Sequence, residues 1–182
     1  MTQERYTNVA IILHWVMAIA FLLMLASGVT VGYFDIPKSL SFSMTQWHKS
    51  LGVLLLVAFF LRIGWRLAHK PPALPASIKG LEAVAAKLGH WGLYACMILM
   101  PLSGWIYVSS SDFGLPTIVF GWFEWPHIPN IDGNEFLHHM AGSAHFYLAI
   151  AFALLIVGHV AAVAKHLLID RENILTRMWW SK

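Results

Sequence analysis

The sequence predicts an all-α membrane protein: one four-helix transmembrane bundle, up-down-up-down, with both termini on the cytoplasmic side. Composition is the first reason, since 58% of the 182 residues are hydrophobic and only 12% charged, with nine tryptophans, far from the balance of a soluble domain. The second is four long apolar stretches, at about 9–31, 47–67, 85–108 and 140–167, each long enough to cross about 30 Å of hydrocarbon. Backbone groups in lipid must be bonded within the segment, so these stretches are helices. A chain of this length holds a single bundle, one domain over 1–182.

The third reason is charge. Arg5, the second loop with its helix ends (Arg62, Arg66, Lys70, Lys79, Lys87) and the C-terminal segment (Lys165, Arg171, Arg177, Lys182) hold ten of the twelve Lys and Arg residues, against Lys38 and Lys49 on the other side. The positive-inside rule puts both termini in the cytoplasm. The pI near 9.1 is therefore a mark of topology, and nucleic acid is not an expected partner. None of the nine acidic residues, Glu4 included, falls at mid-membrane, which argues against an ion-coupled transporter.

Taken in order, Asn8 is the expected cap of the first helix, and His14 lies about 8 Å beyond it. LASG resembles a small-residue cleavage site, but the apolar run is too long for a signal peptide and contains His14. After a short loop with Pro37, Trp47 and His48 are expected to open the second helix at the outer surface, with Lys49 beside them. Fourteen residues on lies Arg62, which either meets an anion, a haem propionate or quinone headgroup, or snorkels to the inner surface. Arg66 is placed at the interface. Prolines in AHKPPALPAS forbid helix, and Ser77 is the expected cap of the segment leading into the third helix. There His90 lies near the inner side, as a polar wall residue or an iron ligand, and Pro101 is expected to bend the outer half. Cys96 is the single cysteine, so no internal disulfide forms. The outer loop, 109–139, is acidic (Asp112, Glu124, Asp132, Glu135), rich in aromatics and free of Lys and Arg; a structured cap in the headgroup region is expected, with His127, His138 and His139 solvated or capping. No internal repeat is apparent.

The fourth span carries His145 and His159, fourteen residues apart. That offset rises about 21 Å and falls about 40° short of four turns, and in a left-handed bundle it comes into register. Both imidazoles thus look out of one face at two depths. Alternating helix directions match His145 with His48 near the outer face and His159 with His14 near the inner face. Two pairs of neutral imidazoles on facing helices suit six-coordinate b-type haem, held non-covalently because C-x-x-C-H is absent. Gly52, Gly142 and Gly158 are expected to admit the flat macrocycles. A zinc or copper site needs ligands at one depth, with sulfur or carboxylate, and the spans offer neither.

Through ERYTNVAIILHW, WHKSLGVLLLVAFFLRIGWR, KLGHWGLY, AHFYLAIAFALLIVGHVAAVAKHLLID and the ILTRM tail, nearly the whole chain resembles the prokaryotic cytochrome b561 group. The resemblance implies a di-haem protein of the bacterial inner membrane, with two haem b and ligands on His14, His48, His145 and His159. It also implies electron transfer between the outer face and membrane quinone, ubiquinone in the members that oxidise superoxide. An anionic donor is steered by positive potential, and the outer loop is acidic, so Lys49 beside His48 is the superoxide candidate. His166, with His90, Arg62 and Lys165, forms the expected inner quinone site; His166 reads equally as an interfacial histidine suited to a helix C-terminus. The rival reading is a non-catalytic electron-transfer subunit whose outer loop docks a periplasmic redox or lipid-binding protein.

Overall fold

The first helix is started by Thr7, whose hydroxyl accepts from the N–H of Ala10. Asn8, the expected cap, lies one residue inside and accepts from Arg5 instead. In the computed structural model, which describes residues 5–180 and so leaves Glu4 and Lys182 outside the described residues, four helices follow one another: α1 (Asn8–Tyr33), α2 (Lys38–Ala68), α3 (Gly80–Ser109) and α4 (Glu135–Leu168). All four are long and apolar enough to cross a membrane, as the four-helix fold read from the sequence requires. Between α3 and α4 lies an antiparallel hairpin, β1 (Thr117–Val119) and β2 (Phe123–Trp125). Its turn takes left-handed backbone at Phe120 and Gly121 (φ 48° and 80°).

Three boundaries differ from expectation. α2 begins at Lys38, directly after Pro37, so His48 lies well inside the helix and does not open it. The added turns are polar, and Ser43 and Thr45 bond back to the carbonyls four residues earlier. They persist because the hairpin docks on them. Gln46 and Lys49 both donate to Pro116 O, at 3.2 and 2.8 Å, and the Trp47 ring packs edge-on against Phe120. α3 begins after Lys79, which supplies no side-chain cap; Ser77 donates to Glu172 instead. α4 starts at Glu135, capped by Asn134, which accepts from Leu137 N. His138 and His139 are therefore in its first turns and outside the loop.

α1 packs along α2, α2 touches α3, and α3 packs along α4. The core lies midway along the bundle, around Met17, Phe21, Leu55, Met97, Met100 and Phe152. At the end carrying both chain termini, a 3-10 turn (Ile174–Met178) folds back across the bundle. Tyr6 N–H donates to Arg177 O, Trp15 Nε1 donates to Met178 O at 2.7 Å, and the buried Arg177 side chain reaches Ala73 O in the α2–α3 loop. The opposite end, closed by the β-hairpin, is termed the hairpin end below.

Ser50, 1% exposed, is the pin between hairpin and bundle. Its hydroxyl lies 3.0 Å from Ile118 O and accepts from Phe120 N–H at 3.1 Å. Ser50→Ala leaves the hairpin's backbone groups without that partner, a cost of about 1–3 kcal/mol. The expected outcome is faster limited proteolysis between residues 110 and 134, with the helical core still protected.

Candidate functional site

Heptad steps align one face on each of three helices: His14, Phe21 and Gly28 on α1; His48, Leu55 and Arg62 on α2; His145, Phe152, His159 and His166 on α4. Midway, Phe21 and Phe152 meet edge-to-face at 4.8 Å. Above and below them the histidines pair. The His48 and His145 ring centres are 6.2 Å apart at 66°, and those of His14 and His159 are likewise 6.2 Å apart at 66°. Two imidazoles axial to one metal ion, each bonded at about 2 Å, have ring centres about 6 Å apart. Both pairs join α4 to a helix other than α3, its main packing partner.

At the hairpin end each histidine rests on a Ser-Gly step of the neighbouring helix. His48 Nδ1 is 2.8 Å from Ser27 Oγ, and His145 Nδ1 is 3.1 Å from both Ser103 Oγ and Met100 O. Ser27 donates to Met24 O and Ser103 to Met100 O, each at 2.9 Å. A hydroxyl has one proton, so each serine oxygen accepts from Nδ1–H. That tautomer leaves the Nε2 lone pair for a metal. The adjoining glycines allow the approach: a Cβ on Gly28 or Gly104 would stand 3.7 or 3.1 Å from the Cε1 of His48 or His145. The expected glycines do not do this. Gly52 faces Met24, Gly142 faces Tyr107, and nothing lies against Gly158.

The terminal end is arranged differently. Arg62 Nη2 lies 3.3 Å from His14 Nδ1 and its Nε donates to Tyr94 OH, while its buried Nη1 has no hydrogen-bond partner among the described residues. Guanidinium has no lone pair to offer. A metal on His14 Nε2 leaves the proton on Nδ1 facing Arg62, and the guanidinium then needs another acceptor, which an anion provides. Arg66, expected at the interface, is exposed and lies 5.4 Å from the Tyr94 ring centre, with Arg62 at 5.7 Å. His90 meets the ring of His159 edge-on at 5.6 Å.

The inner residues expected to form one quinone site fall into two groups. Arg62 and His90 accompany His14 and His159. Lys165 instead pairs with Glu82 at 2.5 Å and Asp170 at 2.7 Å, and His166, 8% exposed, places Nδ1 2.7 Å from Asp170. Among the described residues no hydrogen bond, ion pair or ring contact joins the groups. Lys49 is half-buried and donates to Pro116 O. Among the remaining histidines, His138 stacks on Tyr107 and contacts its carbonyl at 3.0 Å, and the buried His127 Nε2 has no partner among the described residues. Tyr94 and the two serines were not among the expected site residues, and Arg66 was expected only at the interface. The serines had a signal in the matching Met-x-x-Ser-Gly runs MLASG and MPLSG; Tyr94 had none, because its neighbours depend on how α3 is rotated.

Residues 5–181 match the family model described as prokaryotic cytochrome b561. The chain is 34% identical over 180 residues to cytochrome b561 homolog 2 of Escherichia coli strain K12, covering 97% of this chain and 92% of that one. It is 23% identical to cytochrome b561 homolog 1 of the same strain over 96% of this chain and 97% of that one, and 26% identical to the probable superoxide oxidase CybB of Yersinia pestis over 96% of each. Fold and comparisons together define a multi-pass membrane protein of electron transfer. The chain belongs to the prokaryotic cytochrome b561 family, which implies that it binds haem b. The residues present fit that group: paired imidazoles at an axial separation, close-approach glycines beside two of them, and an unpartnered guanidinium nitrogen for an anion.

Asp170 lies just beyond α4, and its carboxyl is held below the ordinary aspartate range, first by the hydrogen bond from Lys165 and further by that from His166. A carboxyl lowered in the folded state stabilises the fold above the ordinary aspartate pKa of about 3.9, and the contribution disappears as pH falls through the lowered value. Asp170→Asn is therefore expected to melt earlier than wild type near neutral pH in detergent. In thermal-shift scans the gap narrows as the pH is taken below about 4, where the unfolded chain's carboxyl protonates, and closes once the folded carboxyl protonates at its lowered value.

Proposed function

We propose that this chain moves electrons across the bacterial inner membrane, between a donor at the outer, hairpin end and ubiquinone at the cytoplasmic, terminal end. In this reading it holds two haem b groups, one between His48 and His145 and one between His14 and His159. The observation that carries it is the repetition of one pair geometry, 6.2 Å and 66°, at both ends of the α4 face. Bound haem b supplies reversible one-electron transfer. The concentration of Lys and Arg at the terminal end supports the orientation.

The chain's own residues divide the remaining work. Ser27 and Ser103 with their methionine carbonyls hold Nδ1–H on His48 and His145, so that each presents Nε2. Arg62 offers positive charge to a propionate or quinone headgroup. Reducing ubiquinone to ubiquinol takes two electrons and two protons. Asp170, partly exposed, lies 2.7 Å from Nδ1 of the buried His166, with Lys165 holding the carboxylate in place, and this cluster is the candidate entry for the two protons from the cytoplasmic side.

Superoxide, giving up one electron and leaving as dioxygen, is the donor suggested by the relative named as a probable superoxide oxidase. Lys49, one residue from His48, is the candidate cation for it. A second reading draws on the hairpin segment, which is acidic, has Trp122 87% exposed at its turn and carries no Lys or Arg. That surface suits a periplasmic redox partner better than a small anion, and in this version the chain is an electron-transfer subunit.

The test is ubiquinone reduction by haem-loaded protein in proteoliposomes supplied with superoxide or a small reductant. Redox-active haems that never pass electrons to quinone would overturn the proposal. His159→Ala is expected to leave about half the haem per chain, bound with two axial nitrogens at the other pair. Pyridine haemochrome content and the low-spin spectrum report it; loss of both haems or of neither counts against the pairing.

A further inference from the structure

The two histidine pairs share one geometry and differ in their electrical surroundings. Beside His14 and His159 stands one guanidinium, Arg62, and a second, Arg66, lies farther out over Tyr94. Arg62 reaches within 3.3 Å of His14 Nδ1 and is fixed from behind by its bond to Tyr94 OH; Arg66 lies 5.4 Å from the centre of that same ring. Neither makes an ion pair among the described residues. The nearby carboxylates are engaged elsewhere: Glu82 with Lys165, Asp170 with Lys165 and His166, and Glu172 with Ser77. Arginine stays protonated at any working pH, so this positive charge is permanent, with Arg62 partly shielded from water and Arg66 exposed.

Around His48 and His145 the hydrogen-bond partners are neutral: Ser27, Ser103 and the Met100 carbonyl. The one cation close in sequence, Lys49, keeps its charge and is held at Pro116 O in the hairpin segment. Beyond it the hairpin segment adds Asp112, Glu124, Asp132 and Glu135 with no opposing Lys or Arg.

Reduction adds one negative charge to a site, so a fixed positive charge favours the reduced form and a negative field disfavours it. We propose that Arg62, positioned by Tyr94 and supported by Arg66, raises the reduction potential of the haem held by His14 and His159 above that of the haem held by His48 and His145. Pairing of Arg62 with an anionic group of the cofactor lessens the effect at that site. It leaves the anions of the other site without a comparable partner, so the order of the two potentials stands. The proposal rests on the two-haem reading above.

Potentiometry on the haem-loaded protein tests it, alongside haem content and the low-spin spectrum. Wild type is expected to show two separated midpoint potentials, and His159→Ala to retain only the lower. Arg62→Gln lowers the higher potential toward the other and leaves the lower unmoved, while Arg62→Lys keeps most of the separation. Two haems bound in Arg62→Gln with neither potential shifted, or with only the lower one shifted, overturns the assignment while the two-haem reading survives. If Arg62→Gln loses haem, Arg66→Gln decides: it must shift the higher potential downward by a smaller amount, and no shift overturns the proposal. A wild type that binds a single haem overturns the two-haem reading and this inference with it.

Discussion

The structure turns on how α4 meets the first two helices. Its long packing partner is α3, and across the other face it reaches α1 and α2 through side chains: an aromatic pair, Phe21 with Phe152, at mid-depth, and an imidazole pair at each end. That arrangement needs the heptad step. At 3.6 residues per turn the face would drift by about 20° in each seven residues, and His145, Phe152 and His159 would part company. Keeping them aligned gives two sites of equal width separated by one layer of aromatic packing.

Polar groups at the two ends hold that seam at its working distance. At the hairpin end, Ser50 and Lys49 bind the loop backbone to α2 next to His48. At the terminal end, the chain after α4 returns to α1, where Trp15 donates to Met178 O and Tyr6 to Arg177 O. This return links the helix carrying His159 with the helix carrying His14, which have little direct backbone contact. Buried polar groups with partners rigidify what they join, so the strap and the docked hairpin are part of the site's construction.

Fold class and histidine depth were readable because both follow from simple counting: apolar length against hydrocarbon thickness, and fourteen-residue offsets against helical rise. What escaped was whatever depended on docking. A polar stretch such as KSLSFSMTQ carries no hydrophobic signal for helix, and it is held against the hairpin segment by the bond from Gln46 at its far end to Pro116 O and by Ser50 one turn on, which meets Ile118 and Phe120. Asn8 and Ser77 are good capping residues by type, yet Arg5 and Glu172 claim their side chains. The glycines that face imidazole rings, Gly28 and Gly104, belong to neighbouring helices and had no signal in the spacing of the histidines. The grouping of Lys165 with Glu82 and Asp170 likewise depends on the rotation of α3 against α4, which sequence spacing leaves open.

The twin Met-x-x-Ser-Gly runs expose a repeated arrangement that three matching positions are too few to announce. MLASG on α1 supports a histidine of α2, and MPLSG on α3 supports a histidine of α4, so the bundle reads as two consecutive helical hairpins built to one plan at one rim. At the other rim the plan is abandoned: α1 and α4 supply imidazoles, α2 supplies an arginine in the equivalent heptad row, and α3 contributes Tyr94 and His90. Half of the molecule is thus a duplicate pair of cradles and half is bespoke, which lets a sequence diverge at the bespoke rim without disturbing the shared one.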